Sequence, residues 1–230
     1  MDFEILFWCA RLSRHSICAG DPEVNAPRHL LIATSNGGKR AEIQLLLSDL
    51  PVSLFGLRDF PAIEPIAETG TTFVENASLK AIGYAAQTGM VTLADDSGLE
   101  VDALGGAPGV RSARYTSEGA SDAERIEALL AALAFVDESR RSARFVSAVV
   151  IADSSREILN VSVGECEGRI ALATRGAGGF GYDPVFIPNG VGLTFAELKP
   201  EIKNQISHRA RSLAATRAFL LGLTAASGAD

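Results

Sequence analysis

Short apolar runs recur along the chain and predict the strands of a sheet. Each run is bounded by polar, Gly or Pro residues, which favour turns on either side of a strand. The runs cover residues 30–33, 52–57, 90–94, 143–153, 157–165, 167–172 and 185–188. Because the three runs between 143 and 172 follow one another without an intervening helix, they favour antiparallel pairing, and the sheet as a whole is expected to be mixed.

Helical periodicity separates the other runs and predicts amphipathic helices. The predicted helices run from about 39 to 50, from 72 to 88, from 121, and from about 207 onward. Two of them open with a capping box, formed by Thr72 with Glu75 and by Ser121 with Glu124. Their apolar faces are expected in the core and consist of Phe73, Ala77, Ala81 and Ala85, and of Ile126, Leu129, Leu130 and Leu133.

Strands alternating with helices place the chain in the α/β class as one folding unit. The chain has 230 residues, of which 47% are hydrophobic and 21% charged, as in ordinary globular proteins that bury a full core. The domain is expected to span residues 29–226. Residues 1–28 show no convincing period and end in a Pro-containing segment, so we interpret them as an appended tail or a mis-assigned translation start.

Composition excludes several classes of function. The formal net charge of −7 argues against sequence-independent nucleic-acid binding, so any phosphate site must be local. Cys9, Cys18 and Cys166 have no CxxC spacing, which predicts neither a zinc site nor a disulfide framework and suits a reducing cytoplasm. The apolar stretch at 5–10 is short for a signal peptide and follows acidic residues, and no apolar run approaches the roughly 18 residues of a membrane helix.

A polar loop between the first predicted strand and helix is a candidate anion site. Backbone N–H groups at a helix start, the helix dipole and a lysine together favour phosphate. The loop consists of Thr34, Ser35, Asn36, Gly37, Gly38 and Lys39. It is not a Walker P-loop, because Ala33 and Arg40 stand where that motif needs Gly and Ser or Thr. From this segment alone, an ordinary loop with a solvated lysine is an equal alternative.

The Gly-rich segment at 176–181 matches GxGxxG by spacing, but its context excludes a dinucleotide fingerprint. That motif opens a helix, whereas Tyr182, Asp183 and Pro184 lead here into a predicted strand. The rings of Phe180 and Tyr182 could cover a planar base, beside the flexible backbone of Gly181. A hairpin with both aromatics in the core is the more common alternative.

Two adjacent aspartates raise the question of acid chemistry. Strand neighbours point to opposite faces, so Asp95 and Asp96 reach one site only if the strand ends there, which Ser97 and Gly98 suggest. Two carboxylates at one site repel each other unless a cation or protons compensate, and oxygen ligands fit Mg²⁺. The alternative is one capping and one solvated aspartate. His208 is the one histidine well inside the domain, which excludes a multi-histidine metal site.

Several ordered motifs together resemble the inosine/xanthosine triphosphate pyrophosphatase family. They are ATSNGGK, ETGTTFVENASLKA, LADDSGLEVDALGGAPGVRSARY, GGFGYDPVF and ISHRARSL, and they span residues 30 to about 222. The resemblance implies Mg²⁺-dependent hydrolysis of deaminated purine nucleoside triphosphates (ITP, dITP, XTP) to monophosphate and pyrophosphate, which cleanses the nucleotide pool. It also implies an elongated mixed sheet flanked by helices, two lobes with a nucleotide cleft between them, and a cytoplasmic homodimer.

The resemblance also assigns roles to individual residues. Glu68, Asp95 and Asp96 would bind Mg²⁺, and Asp96 would in addition activate the attacking water. The substrate-binding residues would be the loop Thr34, Ser35, Asn36, Gly37, Gly38 and Lys39, then Lys80, and around the base Ser97, Phe180, Gly181, Tyr182, Asp183, Lys203, His208 and Arg209. Ser35 replaces the glycine that is common in the family's loop.

Electrostatics agrees with these implied roles. A triphosphate near three carboxylates is repelled by roughly 1 to 4 kcal/mol per close pair, and a bridging divalent cation reverses that sign. Two alternatives remain: a nucleotide-binding sensor without catalysis, which the phosphate loop alone permits, and a general phosphatase, which would release orthophosphate.

Overall fold

The computed structural model of the chain describes residues 29–226, and side chains as far as residue 222. The predicted tail at 1–28 lies outside the described residues. The strands are β1 (His29–Ile32), β2 (Ser53–Gly56), β3 (Thr92–Val101), β4 (Ser142–Ala152), β5 (Ile158–Ile170) and β6 (Phe186–Pro188). The α-helices are α1 (Gly37–Leu46), α2 (Phe73–Thr88), α3 (Asp122–Ala132), α4 (Pro200–Ile206) and α5 (His208–Ala226). Short 3₁₀ helices cover Leu57–Asp59, Asp102–Leu104, Gly109–Arg114 and Glu138–Arg140.

The strands form one mixed six-stranded sheet in the order β2-β1-β3-β4-β5-β6. The β1 strand pairs in parallel with β2 and β3, whereas β3, β4, β5 and β6 pair antiparallel. The β1–β3 ladder ends at Ile32 and Leu93, while β3 continues beside β4 as far as Val101. The sheet is therefore open on one side of β3 just beyond the end of β1.

The prediction that the third strand ends at the aspartates is wrong. Every residue of β3 pairs with β4, and Asp95 and Asp96 lie opposite Val149 and Ala148 in mid-strand. Gly98 does not mark a turn: a Cβ there would come 2.4 Å from Ser112 Oγ and 2.6 Å from Gly109 O. The glycine is needed because the 3₁₀ helix at 109–114 packs directly against the strand.

The other predicted elements are close to the observed ones. Both capping boxes are confirmed, and so is the mixed sheet. The predicted strands at 157–165 and 167–172 are one strand of 13 residues, and the short helix α4 was not predicted. The first helix begins two residues earlier than predicted because the Asn36 side chain caps it by accepting from Lys39 N. No helix begins within the Gly-rich segment at 176–181.

Three buried clusters fill the space between the sheet and its helices. On one face α2 packs through Phe73, Ala77, Ala81 and Ala85, as its apolar period predicts. On the other face α1 and α5 pack over β1, β3 and β4. The third cluster joins α3 to the far ends of β3, β4 and β5 and to β6. Helices on both faces thus surround the open side of β3, where the two lobes meet.

None of the described helices combines the length and the apolar character that spanning a bilayer requires.

Candidate active site

Hydrogen bonds to its own side chains stabilise the loop between β1 and α1. Asn36 N donates to Thr34 Oγ1 at 3.2 Å, and Lys39 N donates to Asn36 Oδ1 at 3.0 Å. Ser35, Asn36 and Gly37 are exposed, so the first backbone N–H groups of α1 lie at the surface of the cleft. This is the geometry in which a helix N-terminus can receive a phosphate.

Asp95 is paired below one face of β3. Its carboxylate lies 2.8 Å from Lys39 Nζ and accepts from Ser147 Oγ at 2.7 Å and Ser97 Oγ at 3.1 Å. The Arg209 Nε lies 3.5 Å from Asp95 Oδ1, close enough for charge attraction but without hydrogen-bond geometry. Burial alone would raise the pKa of Asp95, but Lys39 and Arg209 outweigh it and hold that pKa well below its usual range. The Asp95 carboxylate is therefore ionised, and both of its oxygens have polar partners.

Asp96 lies on the opposite face of the same strand, against α2. Lys80 Nζ donates to Asp96 Oδ1 at 3.0 Å and to Glu68 Oε1 at 2.7 Å, and Asn76 Nδ2 donates to Asp96 Oδ2 at 3.3 Å. Burial raises the pKa of Asp96 despite Lys80, whereas Lys80 holds the pKa of Glu68 below its usual value against the effect of burial. One ammonium group thus lies between two carboxylates of unequal basicity.

Arg114 holds Glu68 from the other side. Its Nη1 donates to Glu68 Oε2 at 3.2 Å and its Nη2 to the Glu68 backbone carbonyl at 3.3 Å. Glu68 belongs to an irregular segment between β2 and α2, so its carboxylate depends on such contacts for its position. Arg114 therefore anchors both the side chain and the backbone of Glu68.

The three acids expected to bind a metal do not meet at one point. Glu68 and Asp96 share Lys80, but Asp95 faces away from them and contacts Lys39. Among the described residues, no group of three or more His, Cys, Asp or Glu side chains is arranged to hold a metal ion. The pair Glu68 and Asp96 fits a hard cation, since their oxygens already converge on the positive charge of Lys80. Asp95 is outside this pair because strand neighbours point to opposite faces.

A second group of side chains lines a pocket on the Asp95 side of β3. Lys203 Nζ contacts Asp183 Oδ2 at 2.5 Å and Glu42 Oε1 at 2.9 Å, while Arg209 pairs with Glu42 and donates to Ser97 Oγ at 2.8 Å. Lys203 Nζ lies 4.8 Å from the centre of the Phe180 ring, and the Arg209 guanidinium lies 5.7 Å from it. The two cations and the ring thus form one rigid wall.

His208 lies in the same pocket as a neutral ring. It stacks on Phe145 with a centroid distance of 4.7 Å and an interplanar angle of 11°. Burial, aided by Arg209, lowers the pKa of His208 well below its usual value. Its Nδ1 is buried and has no hydrogen-bond partner among the described residues.

The two aromatic residues proposed to cover a base have different positions. Tyr182 is buried, and its hydroxyl donates to Ser112 O at 3.0 Å, so the ring belongs to the core. Phe180 is half-buried at the pocket and packs against the phosphate loop: a Cβ on Gly38 would lie 2.5 Å from its ring. Gly181 N is held by Asp122 at 2.6 Å, and Phe180 N by Asp183 at 2.9 Å. Phe180 is thus the ring available for stacking.

The loop at 34–39 connects the group around Asp96 and the group around Phe180 into one cleft. Thr34, Ser35, Glu68, Lys80 and Asp96 line a cavity of about 390 Å³. Asn36, Lys39, Ser97 and Ala113 line both this cavity and the Phe180 pocket. The cleft therefore has an acidic, lysine-bearing end and an aromatic, cation-walled end.

Three residues of the site were not predicted from the sequence: Glu42, Asn76 and Arg114. Two of them had a helical signal, since Glu42 lies three residues after Lys39 and Asn76 four before Lys80, each on the same helix face. Arg114 carried no such signal, because its partner Glu68 is distant in sequence and lies in an irregular segment.

Comparisons with known proteins agree with this geometry. A family model described as the Ham1 family matches residues 30–219. A dITP/XTP pyrophosphatase of Geobacillus kaustophilus (strain HTA426) is 50% identical over 186 residues, covering 81% of this chain and 91% of that protein. The dITP/XTP pyrophosphatase of Methylococcus capsulatus is 46% identical over 200 residues, covering 86% of this chain and 98% of that protein. The solved structure of a HAM1 protein from Coxiella burnetii superposes with a TM-score of 0.77 at 44% identity, covering 84% of this chain and 98% of that one.

Proposed function

Because the chain belongs to the Ham1 family, we propose that it hydrolyses ITP, dITP and XTP to the nucleoside monophosphate and pyrophosphate, with Mg²⁺ as cofactor, and so cleanses the nucleotide pool. The observation that carries the proposal is the single cleft with two unlike ends. The loop at 34–39 joins the Glu68, Lys80 and Asp96 group to the pocket of Phe180, Lys203 and Arg209. That arrangement matches a ligand with a polyanion at one end and a planar base at the other.

The acidic end of the cleft supplies the general base for hydrolysis. Asp96 accepts the proton of a water that attacks the α-phosphorus, the bond to the bridging oxygen breaks, and pyrophosphate leaves. Its burial raises the pKa of the carboxyl and thereby increases its basicity once ionised, and Asn76 orients it. Glu68 and Asp96 would hold Mg²⁺, which would neutralise charge on the phosphates and acidify a bound water.

The lysines hold the substrate in line for this attack. Lys39 lies at the start of α1 and Lys80 between Glu68 and Asp96, so each can bind phosphate oxygens while keeping its carboxylate partner. Phosphoryl transfer depends mainly on positioning and charge stabilisation, and it needs no covalent intermediate.

The aromatic end of the cleft selects the nucleobase of the substrate. Phe180 stacks on it, while Lys203, Arg209 and His208, which line the same pocket, provide contacts at its edge. Cationic donors favour the 6-oxo group of hypoxanthine or xanthine. Adenine presents a 6-amino donor instead, and each group left unpaired costs about 1 to 3 kcal/mol.

Incubation with ITP and Mg²⁺ tests the proposal through its products. We expect equimolar inosine monophosphate and pyrophosphate, with kcat/KM for ITP, dITP and XTP well above that for ATP and GTP. A non-catalytic nucleotide sensor would bind ITP and release nothing. A general phosphatase would release orthophosphate. Either result would overturn the proposed reaction.

The proposal extends to the setting of the enzyme. We take residues 29–226 as the catalytic domain, located in the cytoplasm with its nucleotide substrates, with neither nucleic acid nor a membrane as partner. We also propose a homodimer, which the exposed Val161 and Val163 on one face of β5 support. Light scattering of the purified protein checks the dimer.

A further inference from the structure

We propose that Arg40 and Arg58 form an anion subsite that receives the terminal phosphates of the substrate and the departing pyrophosphate. This inference rests on the proposed function and adds to it two residues that neither the motifs nor the acidic cluster include.

Charge balance in the cleft is the first reason. Each cation of the cleft is paired with a carboxylate, and the two sets are equal in number. The cations are Lys39, Lys80, Arg114, Arg125, Lys203 and Arg209, and the acids are Glu42, Glu68, Asp95, Asp96, Asp122 and Asp183. A nucleoside triphosphate carries a charge near −4, and one divalent ion compensates only half of it. The remainder requires cations that are not already paired.

Arg40 and Arg58 are such cations. Neither guanidinium forms an ion pair with a carboxylate of the described residues. The nearby Asp59 carboxylate forms no ion pair with either arginine, and its Oδ2 accepts a hydrogen bond from Gly56 N at 2.8 Å. Both arginines are thus available to an anion.

Their location is the second reason. Arg40 is in the first turn of α1 and Arg58 in the 3₁₀ helix Leu57–Asp59 that follows β2. Both line a cavity of about 600 Å³ whose wall includes Thr34 and Ser35 of the phosphate loop. Thr34 and Ser35 also line the cavity of Glu68, Lys80 and Asp96, so the two spaces meet at the loop.

The order of groups along the loop indicates which phosphates reach the arginines. Asn36 and Lys39 border the Phe180 pocket, whereas Thr34, Ser35 and Gly37 border the arginine cavity. A nucleotide with its base on Phe180 therefore crosses the loop with its phosphate chain and ends toward Arg40 and Arg58. The α-phosphate stays near Asp96, and the pyrophosphate leaves through the arginine cavity.

The Arg40 side chain lies against the end of β2. A Cβ on Gly56 would lie 3.3 Å from Arg40 Nη1. The guanidinium is therefore near both the end of β2 and the cavity that it lines.

Three ligands measured on matched variants test the subsite. The variants are Arg40→Ala, Arg58→Ala, the double variant, and Arg58→Glu, which reverses an exposed charge and leaves packing unchanged. Arg140→Ala is the control, since it removes one exposed positive charge in the turn before β4. The measurements are KM for ITP, the inhibition constant of inorganic pyrophosphate, and the dissociation constant of inosine monophosphate, with a thermal melt for each variant.

The subsite predicts a specific pattern. In the double variant and in Arg58→Glu, KM for ITP and the inhibition constant of pyrophosphate rise about tenfold, more at low than at high ionic strength. The dissociation constant of the monophosphate stays within about twofold, because its single phosphate does not reach the arginines. Arg140→Ala changes none of the three. Unchanged pyrophosphate inhibition in a folded variant, or equal weakening of monophosphate binding, overturns the inference. Failure of the wild-type protein to release pyrophosphate instead refutes the proposed function.

Discussion

Asp95 and Asp96 are adjacent in sequence, yet their carboxylates lie on opposite faces of β3, one 2.8 Å from Lys39 and the other 3.0 Å from Lys80. The strand separates an acid paired with Lys39 from the acid that we propose as the general base. Asp95 has every oxygen occupied and a pKa far below its usual range, whereas the pKa of Asp96 is raised. The two positions should therefore respond differently to the same substitution.

Replacing Asp96 by Asn removes the proposed base while keeping the shape of the side chain. We expect kcat for ITP to fall by at least about 10³-fold, in line with loss of general base catalysis, while the affinity for a non-hydrolysable ITP analogue changes little. Steady-state kinetics and calorimetry measure the two quantities. A variant with unchanged kcat would show that another group activates the water.

The matched change Asp95→Asn should act on stability. It leaves Lys39 and Arg209 without their shared buried counter-charge, so the free energy of unfolding should fall by roughly 3 kcal/mol. Denaturant titration checks this value. Wild-type stability in this variant would contradict the structural role.

Arg114→Gln tests whether Glu68 depends on its anchor. The carboxylate loses one of its two cationic partners and the backbone loses a donor, so kcat/KM should fall about tenfold and the Mg²⁺ concentration for half-maximal rate should rise. Arg111→Gln is the control, because Arg111 is exposed on the same 3₁₀ helix. Equal Mg²⁺ requirements in the two variants would show that Arg114 does not position Glu68 for its proposed role.

Phe180 and Tyr182 should separate binding from stability. Phe180→Ala removes the stacking ring and should raise KM for ITP about tenfold, since stacking of a base on an aromatic ring contributes about 1 to 3 kcal/mol. Tyr182→Phe loses only the bond to Ser112 O and should lower the free energy of unfolding by about 1 kcal/mol with KM unchanged. A similar rise of KM in both variants would mean that both rings contact the base.

His208 should make folding stability depend on pH in the mildly acidic range. Burial holds its pKa in the folded protein well below 6.5, so below pH 6.5 the unfolded chain binds a proton that the folded protein excludes. Stability from this source is therefore complete above pH 6.5 and declines by up to about 1.4 kcal/mol per pH unit as the pH falls. Denaturant titrations at several pH values should show that His208→Gln flattens this decline. Equal slopes in the wild-type protein and the variant would contradict the assignment.

Local signals in the sequence predicted most of the fold. Thr72 with Glu75 and Ser121 with Glu124 form their capping boxes as expected, because capping involves residues three apart. The end of β3 was predicted wrongly, because Ser97 and Gly98 favour a turn locally while ten paired residues of β4 hold the strand extended. The small residue at 98 serves a contact with residues 109–112, which are separate in sequence.

The site was predicted where motifs are contiguous. The loop at 34–39 and the residues Asp96, Lys80 and Phe180 lie in one cleft, as expected, although their roles remain predictions. Arg114 was missed because a contact between two irregular segments leaves no periodic pattern. The separation of Asp95 from Glu68 was also not predicted. It arises because β3 continues through both aspartates and so places their side chains on opposite faces.

The contact between Gly38 and the Phe180 ring links the two ends of the cleft mechanically. A side chain at position 38 would clash with the ring, so the ring lies this close to the loop backbone only beside a glycine. In the proposed enzyme, a mismatched purine that tilts the ring toward the loop should also disturb the backbone amides that hold the phosphates. We therefore expect discrimination between purines in turnover as well as in affinity.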